Sequence, residues 1–121
     1  MYQYNNFSTT QISISKITDT LKHIIIAKLD GELVDRFNGT FHTLEAANGK
    51  AIKDISFTLD ENLMITGGDN QILTIYSSTG DSIFSFYQSV NIGINITRVH
   101  ITDDKKFIFV AGLSNSLFII E

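Results

Sequence analysis

The residues of this chain that could do chemistry are three histidines, two acidic pairs and a double glycine. His23, His42 and His100 stand apart, with no second histidine or carboxylate at the spacing a metal site needs. His100 falls mid-strand, opposite in facing to Val99 and Ile101, and reads as a solvent-facing or hydrogen-bonded strand residue. The pairs Asp60-Glu61 and Asp103-Asp104 could in principle hold Ca²⁺. An EF-hand, however, spreads five or six ligands over roughly twelve residues and ends them on Glu, a pattern missing here. Both pairs read as solvated turns. Gly67-Gly68 could cradle a phosphate, but no Gly-x-x-x-x-Gly-Lys and no helix follows, so it reads as a hairpin turn. With no cysteine and no Gly-x-Ser-x-Gly elbow, the expectation is no catalytic residue, no bound cofactor and no metal.

The elements that must position these residues are strands. Short runs of Ile, Val, Phe, Tyr and Thr alternate with Gly, Asn and Asp clusters, an all-β pattern. Strands are expected at 12–17, 22–28, 32–37, 40–46, 52–58, 62–67, 71–77, 82–88, 96–102, 106–111 and 116–120. Turns include Asp30-Gly31, Asn38-Gly39, Asn48-Gly49, Thr79-Gly80-Asp81 and Ser114-Asn115, residues that reach positive φ cheaply. A short helix competes at 43–49, around Leu44-Glu45-Ala46-Ala47. Phe84, Phe86, Phe107 and Phe109 alternate and so should share a face within each strand, packing between sheets. Phe84 and Tyr87 should face opposite ways, leaving an aromatic exposed.

Composition narrows the function classes. A hydrophobic share of 43% in 121 residues supports a packed domain and not a disordered tail. A net charge of −4, with nine scattered basic residues, argues against a nucleic-acid partner. The first ten residues carry no signal-peptide pattern, and the longest apolar run, Ile24-Ile25-Ile26-Ala27, is far short of a membrane span. The expected location is cytoplasmic, or peripheral to membranes.

The chain also repeats. Met64-Ile65-Thr66-Gly67 through Ile75 lines up with Phe109-Val110-Ala111-Gly112 through Ile120 at an offset of 45, and Asp54–Thr58 lines up with Arg98–Thr102 at 44. One residue inserted in the intervening turn would reconcile the two. A period near 45 with four strands is that of a propeller blade.

The stretch from Ile55-Ser56-Phe57-Thr58 through Ile65-Thr66-Gly67-Gly68-Asp69 to Ile75-Tyr76 resembles a WD repeat, with Tyr76-Ser77 in the place of the signature Trp-Asp pair. It departs from that family in lacking Trp and the Gly-His dipeptide. Of the family's hydrogen-bond tetrad only Asp69 matches its place. A narrower resemblance, to the last blades of BEACH-domain (neurobeachin-like) proteins, rests on Lys53-Asp54-Ile55, Met64-Ile65-Thr66-Gly67 and Phe109–Ile120. These resemblances imply a polar segment 1–11 followed by blades at about 12–50, 51–90 and 95–121, an incomplete propeller. They imply a non-catalytic scaffold for protein partners, with a membrane-trafficking role and either homo-oligomers or the remainder of a larger propeller completing the ring. The alternative is a small all-β hydrolase or carbohydrate-binding domain using the acidic turns.

Overall fold

A computed structural model describes residues 12–18, 20–44, 50–78, 83–113 and 116–120. Eleven strands form among them: β1 (Ile12–Ile17), β2 (His23–Lys28), β3 (Leu33–Phe37), β4 (Thr40–Leu44), β5 (Ile52–Phe57), β6 (Leu63–Gly68), β7 (Ile72–Ser77), β8 (Ser85–Asn91), β9 (Ile96–Ile101), β10 (Ile108–Gly112) and β11 (Leu117–Ile120). They make three antiparallel meanders: sheet 1 (β1-β2-β3-β4), sheet 2 (β5-β6-β7-β8) and sheet 3 (β9-β10-β11). Each β-rich run found in the sequence is a strand. Where a strand at 40–46 competes with a short helix, Thr43 and Leu44 end β4, paired to Val34 and Leu33, and 45–49 lie outside the described residues. The turns expected at 79–81 and 114–115 lie outside them too.

The sheets stack through their first strands, β1 against β5 and β5 against β9. Alternation then gives each sheet two apolar faces. Ile25, Ala27 and Leu33 of sheet 1 share a core with Ile52, Ile55, Met64, Tyr76 and Phe84 from the sheet 2 segment. On the other side, Ile65 and Leu73 of sheet 2 share a second core with Ile96, Val99, Ile101 and Val110 of sheet 3. Burial on both faces explains why the strands read as near-continuous apolar runs.

The registers correct the repeat. Ile52 pairs with Gly68 and Ile55 with Thr66, just as Ile96 pairs with Gly112 and Val99 with Val110. Gly112 is therefore the counterpart of Gly68, not of Gly67, and the offset is 44 throughout, with no inserted residue. Sheet 1 repeats at 40, Ile12 pairing with Lys28 and Ser15 with Ile26. All three sheets carry one bulge at the same place, leaving Ser13, Lys53 and Thr97 unpaired in the first strand.

The double glycine is also not a turn. Gly67 and Gly68 end β6, and the turn follows at Asp69-Asn70. A Cβ on Gly67 would come 2.7 Å from Ile96 Cγ2 of the next sheet, and one on Gly68 would overlap the Ala51 carbonyl oxygen. Close approach of the Ile96 side chain at Gly67 and of the Ala51 backbone at Gly68, not φ, dictates glycine here.

Candidate functional site

The first hairpin turn is built the same way three times. Thr18, Thr58 and Thr102 each donate their amide to the carbonyl five residues on, in His23, Leu63 and Phe107, at 3.0–3.1 Å. Each threonine hydroxyl also accepts the amide of that same residue at 3.2 Å. Leu21, Glu61 and Lys105 occupy one position of this turn, all with φ between 61° and 65°. A left-handed non-glycine residue costs about 1 kcal/mol. The Thr clamp and the turn bond from the amide of that residue to the Thr carbonyl, 2.9 Å each time, hold it there.

The acidic pairs lie in these turns, and each acid described has a task. Asp60 accepts the Thr58 hydroxyl at 2.6 Å and pairs with Lys105 from the sheet 3 turn. These contacts hold its carboxyl at about 2, well below the ordinary 3.8. Asp103 reaches back to the Leu59 amide at 2.9 Å, and Asp104 accepts the Thr102 hydroxyl at 2.6 Å. Glu61 departs from the solvated turn expected of it. It is buried and takes the Thr20 hydroxyl at 2.8 Å. Desolvation alone would raise its carboxyl, but the hydroxyls of Thr20 and Thr18 and the Thr20 amide together bring it below the ordinary value. Asp60, Glu61 and Asp103 thus tie the turns of adjacent sheets together, while Asp104 braces its own. Glu61 and Asp103 also line a pocket of about 260 Å³ with Thr18 and Thr58.

The histidines part company. His100 is exposed on β9 with its ring 6.4 Å from that of Phe109, in line with its strand reading. His42 is half-buried on β4, opposite Asp35. His23 is not isolated. It is fully buried, and its Nδ1 lies 2.8 Å from Oδ2 of an equally buried Asp35. The same carboxylate accepts the Phe84 amide at 3.3 Å, and the imidazole is stacked at 4.8 Å from Phe37 and 4.7 Å from Phe84. Burial pushes the Asp35 carboxyl up, against the opposing pull of His23 and the Phe84 amide. Sequence reading missed this pair because its members are twelve residues apart on separate strands. The available signal was alternation, which puts Asp35 on one face with Leu33 and Phe37, and His23 on one face with Ile25.

The aromatics separate likewise. Phe84 lies ahead of β8 and is buried, 6.1 Å from the Phe57 ring, so it does pack between sheets 1 and 2. Phe86 is half-exposed and edge-on to buried Tyr76, so the two phenylalanines do not share a fate, and Tyr87 is exposed. Asp69, the expected tetrad member, instead lies 3.9 Å from Lys53 and takes no part in a histidine pair.

Near the first strands, side chains hold one sheet to the next. Asp54 accepts the Val99 amide at 2.8 Å and its own chain's Ile55 amide at 2.9 Å, with Lys16 Nζ at 3.7 Å. Ser56 accepts the Ile101 amide at 3.2 Å, and Ser13 donates to the Ile52 carbonyl at 2.8 Å. One carboxylate therefore meets groups from all three first strands. The Val99 and Ile101 amides point away from β10, and these acceptors supply them with partners.

Sheet 3 presents the same face as sheet 2, but open. The positions of Asp54, Ser56, Leu63, Ile65, Gly67, Leu73 and Ile75 are held, 44 residues on, by Arg98, His100, Phe107, Phe109, Ala111, Leu117 and Ile119. Leu117 is 63% exposed and Ile119 57%, where Leu73 is fully buried.

Known structures match this arrangement. The crystal structure of the Cps50 (Swd1) β-propeller domain of Myceliophteria thermophila superposes with a TM-score of 0.77 at 10% identity, over 97% of this chain and 37% of that one. The fold is that of a β-propeller, represented by three antiparallel sheets. The chain spans little more than a third of that domain's length. No protein-family model matches the sequence, and no curated protein does.

Proposed function

We propose that the chain is a non-catalytic protein-interaction scaffold, supplying three blades, at about 12–50, 51–90 and 95–121, to a larger propeller. The observation that carries this is the open face of sheet 3, where Leu117 and Ile119 stand exposed at positions where sheet 2 has buried Leu73 and half-buried Ile75. Apolar surface of that kind marks an interaction site. The WD-type fold supports a role in binding proteins, and loops at both ends of a stable sheet stack can vary without touching the core. The BEACH-like residues of the last two blades further support a cytoplasmic, membrane-peripheral trafficking role. Proximity labelling with the chain fused to a biotin ligase tests this reading. Enrichment of cytoplasmic membrane-trafficking proteins is expected, and enrichment of secretory-lumen proteins alone contradicts it. Turnover in a panel of glycans and esters, lost in Asp103→Ala plus Asp104→Ala, would overturn the scaffold reading in favour of an enzyme.

A further inference from the structure

Taking the scaffold reading as its basis, we infer that the open face of sheet 3 receives another β-sheet whose innermost strand carries a carboxylate, and that this sheet is not a second copy of residues 1–121. The repeat supplies the shape of the occupant. Each face equivalent to this one is covered in the molecule by the first strand and apolar face of the next sheet.

The first-strand side chains supply its charge. Lys16, His100 and Ser56 are equivalent, as are Ile14, Asp54 and Arg98. Where the first strand offers a cation, at Lys16, the next strand answers with the Asp54 carboxylate. Where it offers acceptors, at Asp54 and Ser56, the next strand answers with backbone amides. Sheet 3 offers Arg98 and His100, both exposed, and the Arg98 side chain makes no hydrogen bond or ion pair among the described residues. A guanidinium facing an incoming strand calls for an acceptor of opposite charge, best a carboxylate.

A second copy does not answer this. Its β1, Ile12–Ile17, holds no acid. On the outward face behind β1, Ile26 and Val34 are only 6% and 1% exposed. Two copies of the open face set against each other would bring Arg98 and His100 toward the same groups.

The test places a benzoylphenylalanine photocrosslinker at position 119, which is exposed, in the full chain expressed in cells, and maps crosslinks by mass spectrometry. Circular dichroism checks that each variant is folded. The expected crosslinks fall in a strand outside residues 1–121 that carries an Asp or Glu. Arg98→Glu should lower their yield at least about tenfold, and Lys in place of the mapped acid should restore it. Crosslinks within residues 1–121 of another copy, or a yield indifferent to Arg98→Glu, would overturn the inference and leave the scaffold reading standing. No protein crosslink at all would overturn both.

Discussion

Sheets 2 and 3 carry the same face at the same positions, and one is covered while the other is open. On sheet 2, Leu63, Ile65, Leu73 and Ile75 close on Ile96, Val99, Ile101 and Val110. On sheet 3, Phe107, Phe109, Leu117 and Ile119 meet no further sheet among the described residues. Sheet 1 gives a third version, covered but with His23 and Asp35 where sheet 2 has Leu63 and Ile75. Apolar character at a repeat position therefore does not report burial. Burial depends on whether a next sheet is present, and the repeat tolerates a polar pair only where both members and a third donor converge.

The largest effect should come from breaking that pair. Asp35→Ala leaves His23 Nδ1 and the Phe84 amide without their acceptor in a dry site, and should cost about 4 kcal/mol in urea denaturation. His23→Leu combined with Asp35→Ile copies the side chains of sheet 2 but still strips the Phe84 amide of its acceptor, and should recover about half of that loss, to within about 2 kcal/mol of the parent. If the double variant is as unstable as the single one, the three faces are not interchangeable.

A smaller loss is expected at the link between the first strands. Asp54→Ala strips the Val99 and Ile55 amides of a charged acceptor, and should cost about 2 kcal/mol. The Val99 amide should then exchange faster, while that of Ile101, held by Ser56, stays protected. Equal loss of protection at both would deny the separate roles given to Asp54 and Ser56.

The smallest effect lies in the turns. The Asp60 carboxyl is depressed to about 2 in the folded chain against 3.8 ordinarily, so its contribution is complete above about pH 4 and disappears as pH falls through 2. Because Asp60 is 44% exposed, solvent screening limits that contribution to under about 1 kcal/mol. Asp60→Asn should lower stability by that amount at pH 7, by less at pH 2, and match the parent near pH 1. A gap that persists undiminished near pH 1 would show that the Lys105 pair is not its source.

The strands were legible because alternation and turn residues agree, as in Ile52–Phe57 followed by Asp60-Glu61-Asn62. The repeat was legible to within one residue. Matching Gly67 to Gly112 is tempting by identity, but the bulge at Lys53 and Thr97 and the pairing of Gly68 and Gly112 with Ile52 and Ile96 set the offset at 44. Side-chain convergence was not legible. His23 and Asp35, or Asp54 and the Val99 amide 45 residues away, meet only through the stacking of strands that sequence spacing does not encode. Nor does the sequence distinguish a covered face from an open one, since Leu73 and Leu117 have the same chemistry and the same place in the repeat.

That last pair offers the most direct test of the account, that three equivalent blades leave one face free. Leu73→Ala and Leu117→Ala should be compared by urea denaturation of the purified chain. A loss of about 3 kcal/mol is expected for Leu73→Ala, from an apolar cavity between sheets 2 and 3, and a change within about 0.5 kcal/mol for Leu117→Ala. Equal losses at the two positions would contradict it, since they would mean that the outer face of sheet 3 is as covered as that of sheet 2.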